Sequence, residues 1–174
     1  MQVEYIADFL SVDEADALGT FLRLQTWAPH YDYVMRISYG ARMRPQQTNT
    51  HPTPVNIQAL TDKLVARYSA TFNSVECYLH QNSSHVKPHV DMFGDVVCMI
   101  RLGSPRVFVA GGQNIRLAHG SLLTFRGPVM HAMSPDPEAG QCISLLFRQI
   151  VDLDEIEKEN IRLAQEGLGR RTRW

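Results

Sequence analysis

The sequence predicts an α+β fold, mainly β, with N-terminal helices packed on one sheet of an antiparallel core. Three features of the chain predict it. Two early stretches repeat apolar residues at helical spacing, and from Ser74 onward the chain breaks into short β-prone runs. Gly and Pro pairs punctuate those runs. Strands this short and this regularly spaced imply a sandwich or barrel, here a double-stranded β-helix (jelly-roll, cupin-like) core.

The first helix begins at a capping box. In Ser11-Val12-Asp13-Glu14 the serine can cap backbone donors while the glutamate reaches back. Ala15, Leu18, Phe21 and Leu22 then recur at helical spacing, which predicts a helix from Val12 to Gln25, and Pro29 stops any extension. Val34 to Tyr39 reads as a strand. Arg42 to Pro54 is polar and proline-bearing and reads as a long surface loop, the kind that often serves as a lid. Ile57, Leu60, Leu64 and Val65 mark a second amphipathic helix over Val55 to Tyr68. The strands that follow are Val75–His80, His85–Asp91, Val96–Leu102, Arg106–Val109, Ile115–Ala118, Ser121–Phe125, His131–Met133 and Gln141–Ile150. A terminal helix is expected over Asp152 to Gln165, ahead of a basic tail. The whole reads as one domain: residues 1–73 carry the helices and lid, 74–150 the core, and 151–174 the last helix and tail.

The chain has 174 residues, 44% of them hydrophobic, enough for a core of its own. A formal net charge of −1 argues against holding nucleic acid by bulk electrostatics. The distribution says more than the total. No acid occurs from Tyr33 to Thr61 or from Val96 to Pro135, yet arginines recur in both stretches. All but three of the 17 basic residues are arginine, whose planar fork grips phosphate or carboxylate in a way lysine cannot. Cys77, Cys98 and Cys142 form no CxxC pair and suit reduced core thiols in a cytoplasmic protein. No apolar run approaches the roughly 20 residues that span a membrane. No obligate protein partner is indicated, and a monomer is expected.

His89-Val90-Asp91, with His131 and Arg148 further on, is the constellation that carries chemistry. Residues i and i+2 of a strand share a face, so His89 and Asp91 can converge on one ion. Two imidazoles and a carboxylate on one face of an octahedral Fe(II) leave the opposite positions open. A later arginine suits a carboxylate-bearing cosubstrate such as 2-oxoglutarate. Each histidine taken alone could equally be structural. The remaining histidines compete poorly: Pro88 rules out a helix joining His85 to His89, and His119 sits in a turn before Gly120. HExxH, paired CxxC, GxSxG and Gly-rich phosphate loops are all absent.

With these residues in place, the chain resembles the AlkB-like family of Fe(II)/2-oxoglutarate dioxygenases over most of its length. Tyr5 to Ser11 resembles the family's opening, Arg36-Ile37-Ser38-Tyr39-Gly40 the strand leading into the nucleotide-recognition lid, and Pro52-Thr53-Pro54 the start of the following helix. Phe72 to Tyr78, His89-Val90-Asp91, Leu117 to Leu123, His131 and Ser144 to Arg148 follow in the family's order. The resemblance implies that His89, Asp91 and His131 bind iron, and that Arg148, Tyr78 and Ser144 lie at the 2-oxoglutarate. It implies oxidative decarboxylation to succinate coupled to C–H hydroxylation, which on an N-methylated base of DNA or RNA ends in demethylation and formaldehyde. Arg36, Tyr39, Arg42 and Phe93 become the expected substrate contacts, with Trp27 and Tyr33 as further stacking partners.

Two departures from the family pattern shape the expectations. Where the family has two arginines six apart, this chain has Cys142 and Arg148, and Arg101 stands where a small residue is usual. Arg101 is therefore expected to replace the missing guanidinium. An acidic residue usually follows the HxD aspartate; here Met92-Phe93-Gly94 follow, which weighs against cationic lesions such as 1-methyladenine. Two alternatives stand beside nucleobase oxidation: hydroxylation of a protein side chain or small metabolite at the same iron site, and a non-catalytic jelly-roll binding module.

Overall fold

The computed structural model describes residues 3–31, 33–41, 50–81, 84–91 and 96–150. The expected terminal helix and basic tail lie outside the described residues, as do Arg42, Phe93 and most of the loop before Thr50. The described chain runs β1 (Val3–Ile6), α1 (Val12–Arg23), β2 (Ala28–Tyr31), β3 (Val34–Gly40), β4 (Thr50–His51), α2 (Val55–Tyr68) and β5 (Ser74–His80). It continues with β6 (Val86–His89), β7 (Val97–Gly103), β8 (Arg106–Ala110), β9 (Gln113–Leu117), β10 (Leu122–Phe125), β11 (His131–Met133) and β12 (Cys142–Arg148).

The strands form two sheets. One has eight strands in the order β1-β10-β7-β12-β5-β3-β2 with β4 beside β3, and the other four in the order β6-β11-β8-β9. Apolar side chains from both, among them Met99, Leu123 and Leu146 from the large sheet and Phe108 and Met133 from the small one, form a single buried cluster between them. A second cluster fills the far side of the large sheet, where Leu18 and Leu22 of α1 and Ile57 and Leu64 of α2 meet Ile37, Cys77, Ile100, Leu145 and Phe147. This is the double-stranded β-helix expected from the sequence, with its helices on one sheet.

Local chemistry explains the elements. The capping box is present: Glu14 N–H donates to Ser11 Oγ at 3.2 Å, and Ser11 N–H to Glu14 Oε2 at 2.8 Å. Strands β1, β2 and β4 were not expected. Each lies at the margin of the large sheet or beside it, held by backbone pairing rather than by an apolar pattern. Pro29, which reads as a breaker, is tolerated in β2 because that strand is an edge. Gly40 ends β3 with φ 78°, and a Cβ there would lie 2.3 Å from the carbonyl oxygen of Asn73, so the crossing of these segments requires glycine.

Register places the site. Arg36 stands opposite Tyr78, Tyr78 opposite Ser144, and Ser144 opposite Arg101. One rank across β3, β5, β12 and β7 thus holds four residues singled out from the sequence. Strand alternation puts Glu76, His80, Cys142 and Arg148 on that same inward face.

Candidate metal and cosubstrate site

His89 ends β6 and His131 opens β11, and the two are paired directly across the small sheet. Their ring centroids lie 4.1 Å apart. Asp91 follows just beyond β6, and one ligand atom from each of the three residues lies within 4.8 Å of the others. Both rings are fixed in the same way: His89 Nδ1 lies 2.8 Å from the carbonyl oxygen of Lys87 and His131 Nδ1 2.9 Å from that of Val129. A carbonyl can only accept, so these contacts assign the proton to Nδ1 and leave each Nε2 lone pair for a metal. His131 is buried against Phe125 and Phe108, at centroid distances of 4.7 and 5.7 Å. That burial lowers its pKa and keeps the imidazole in the neutral form a metal needs.

The carboxylate is divided between two tasks. Arg148 donates to Asp91 Oδ2 from Nε at 3.0 Å and from Nη2 at 2.9 Å. Oδ1 remains toward the histidines, 4.0 Å from His89 Nε2. Two imidazoles, each with Nδ1 against a backbone carbonyl, and one oriented carboxylate oxygen match the donor set of a facial Fe(II) site.

Arg148 also reaches a residue that sequence reasoning missed. Its Nη1 donates to Glu76 Oε2 at 2.9 Å, the Tyr78 hydroxyl donates to the same oxygen at 2.6 Å, and Arg36 Nη1 lies 3.7 Å from Oε1. Glu76 is 1% exposed. The chain of charges Arg36, Glu76, Arg148, Asp91 therefore alternates in sign, as a buried ionic network must to offset desolvation. The local signal was an acid inside the apolar run Val75 to Leu79, two residues from Tyr78 and so on its face.

Ser144 and Arg101 point into the same interior, both buried. The guanidinium of Arg101 meets Cys142, with Nη1 to Sγ at 2.8 Å, and Met133, with Nη2 to Sδ at 3.6 Å. Arg106, also buried, donates to the carbonyl oxygens of Ser84 and Gln81.

Other expected contacts fall elsewhere. Tyr39 is odd-numbered in β3 while Arg36 is even, so it faces the helices; it is 2% exposed and belongs to the helix-side core. Its assignment to substrate binding is corrected accordingly. Trp27 packs on the same cluster and donates Nε1–H to Leu22. Tyr33 is exposed at the β2–β3 turn with φ 58°. Arg36 lies on the inward face beside Glu76, with its side chain 20% exposed.

No family model and no curated protein matches this chain. Solved structures do. OsALKBH1 superposes with a TM-score of 0.63 at 16% identity, covering 84% of this chain and 97% of its own. HygX from Streptomyces hygroscopicus, solved with nickel and 2-oxoglutarate bound, gives 0.64 at 9% identity, covering 83% and 81%. The viral collagen prolyl hydroxylase vCPH from Paramecium Bursaria Chlorella virus-1, a 2-oxoglutarate complex, gives 0.63 at 16% identity, covering 87% and 97%. At such identities the likeness establishes the fold. Among the described residues, no helix is long and apolar enough to cross a membrane.

Proposed function

We propose that this chain is a mononuclear Fe(II) oxygenase that consumes 2-oxoglutarate. The observation that carries this reading is the convergence of His89, Asp91 and His131, with Arg148 holding the outer oxygen of Asp91. Iron with 2-oxoglutarate, when bound, supplies an oxidant able to hydroxylate a C–H bond. The chain supplies the rest. Lys87 and Val129 carbonyls fix the tautomer of the two histidines, and Phe108 and Phe125 keep water from the buried face of His131. Arg148 orients the carboxylate while Glu76 balances the charge of Arg148. Ser144 and Tyr78 stand in the rank that lines the cosubstrate space.

The substrate favoured here is a modified base of DNA or RNA. The similarity to OsALKBH1 and the acid-free, arginine-bearing stretch from Tyr33 to Thr61 support it. His30, whose ring centroid lies 5.4 Å from that of Tyr78, adds an aromatic next to the rank that holds Arg36 and Tyr78. The placement of Tyr39 and Trp27 in the helix-side core favours a second reading, oxidation of a protein side chain or small metabolite, since it removes two stacking partners. Three free, buried cysteines fit a reducing compartment, which supports a cytoplasmic location.

Succinate release with Fe(II), 2-oxoglutarate, ascorbate and methylated single- or double-stranded oligonucleotides tests the reading. The expected result is turnover that drops at least about 100-fold in His131→Ala, beyond what loss of an outer-shell partner costs. Turnover with peptides or metabolites but no oligonucleotide selects the second reading. Wild-type protein that neither binds Fe(II) nor decarboxylates 2-oxoglutarate is a binding module instead.

A further inference from the structure

Four arginines point into the space between the two sheets: Arg36, Arg101, Arg106 and Arg148. Their partners differ in kind. Arg36 and Arg148 face Glu76 and Asp91, and Arg106 donates to two backbone carbonyls. Among the described residues, Arg101, 1% exposed, hydrogen-bonds only to the sulfurs of Cys142 and Met133, and its Nε has no hydrogen-bond partner. Sulfur is a weak acceptor, so the guanidinium is buried without an oxygen to neutralise it. Nearby polar atoms wait in the same way. Ser144, directly opposite Arg101, and His80, directly opposite Cys142, keep an unpartnered Oγ and Nδ1. Burial and the charges of Arg101 and Arg106 hold His80 neutral.

The location is informative. Met133, which the Arg101 guanidinium touches, is two residues from His131 on the same strand and also faces inward. A cation on the inward face, against the strand that carries a metal ligand, suits the far end of a short ligand whose near end is at the metal.

We propose that Arg101 is the anchor for the distal carboxylate of the 2-oxo acid, assisted by Ser144, and that its side chain occupies the space left by the small thiol at Cys142. The inference rests on the oxygenase reading above and adds which side chain of this chain reads the distal carboxylate. The positive charge that reads it comes from β7, while β12 contributes the room and the Ser144 hydroxyl. A charge and a cavity have exchanged places between neighbouring strands, so the exchange should be reversible.

The test is calorimetric titration of Ni(II)-loaded protein with 2-oxoglutarate and with pyruvate, which lacks the distal carboxylate. Wild-type protein is expected to prefer 2-oxoglutarate. Arg101→Leu should weaken 2-oxoglutarate about 10- to 150-fold, the range for losing a charge-assisted hydrogen-bonding partner, and leave pyruvate unchanged. Arg101→Leu with Cys142→Arg should restore the preference to within a few-fold. Unchanged 2-oxoglutarate affinity in Arg101→Leu, or equal affinity of wild-type protein for the two acids, overturns the assignment. Should the leucine variant fail to fold, Arg101→Lys keeps the charge but not the fork, and must weaken 2-oxoglutarate more than pyruvate. Wild-type protein that binds neither Ni(II) nor 2-oxoglutarate defeats the oxygenase reading itself, a different outcome from metal and cosubstrate binding that ignores Arg101.

Discussion

The two faces of the eight-stranded sheet are made by the same strands and do opposite things. In β12, Ile143, Leu145 and Phe147 turn to the helices, while Cys142, Ser144 and Arg148 turn inward. In β5, Val75 and Cys77 face the helices, whereas Ser74, Glu76, Tyr78 and His80 line the interior. The helix side is held by apolar burial, which is non-directional and tolerates repacking. The inward side has an apolar cluster of its own and beside it, at the site, an ordered network of charges whose members cannot be exchanged singly. A period of two residues lets one strand carry both, so stability and chemistry are separable by substitution.

The largest expected effect is on the helix side. Phe147, fully buried and edge-on to Phe72 at a centroid distance of 6.5 Å, should cost about 3–5 kcal/mol as Phe147→Ala. Urea denaturation would read that loss, and nickel affinity of the folded fraction should stay within a few-fold of wild type. A large loss of metal affinity without loss of stability would contradict the division of labour.

Glu76→Gln probes the inward side with a smaller effect. The amide keeps an acceptor for Tyr78 and Arg148 but removes the charge that both arginines face, which should cost about 1–3 kcal/mol. Arg148 then has Asp91 as its remaining acidic partner, and nickel affinity should fall by about 10-fold as the ligand oxygen is drawn away. Undiminished nickel affinity would show that Glu76 acts on the fold alone.

What the sequence revealed follows from the range of each interaction. The capping box, the helical periodicity of Val55 to Tyr68 and the strand texture after Ser74 are local and were legible. The ordered positions of His89, Asp91 and His131 were legible because the motif spans one strand and its partner. Tyr39 was a parity error: three residues from Arg36 in a strand, it cannot share that residue's face. Glu76 was hidden because its partners come from β3 and β12, remote in the chain, and only register unites them. The contact of Arg101 with Cys142 is likewise a cross-strand fact. Strands β1, β2 and β4 escaped because edges borrow their order from neighbours already in place.

The smallest effect is on the pH dependence of stability: burial raises Tyr39 and Cys98 on the helix side and Tyr78 on the inward side, which weakens the fold at alkaline pH, while His80 on the inward side weakens it at acid pH. On the helix side, burial pushes Tyr39 up to about 12 and Cys98 from about 9 to about 12. The unfolded chain ionises these groups first and so binds fewer protons than the native state above pH 9. Stability then falls with rising pH, by up to about 1.4 kcal/mol per unit for each group in its window. On the inward side, burial together with Arg101 and Arg106 holds His80 well below 6.5. Below pH 6.5 the unfolded chain takes up a proton that the native state refuses, so stability falls as the pH drops. Melting temperatures from pH 5 to 11 should trace a plateau with two descending limbs. Cys98→Ala should make the alkaline limb shallower and leave the acid limb as it is, and His80→Asn should do the reverse above the carboxylate range. If either substitution flattened both limbs, the two faces would share one titrating network, and the sheet would not insulate the core from the site.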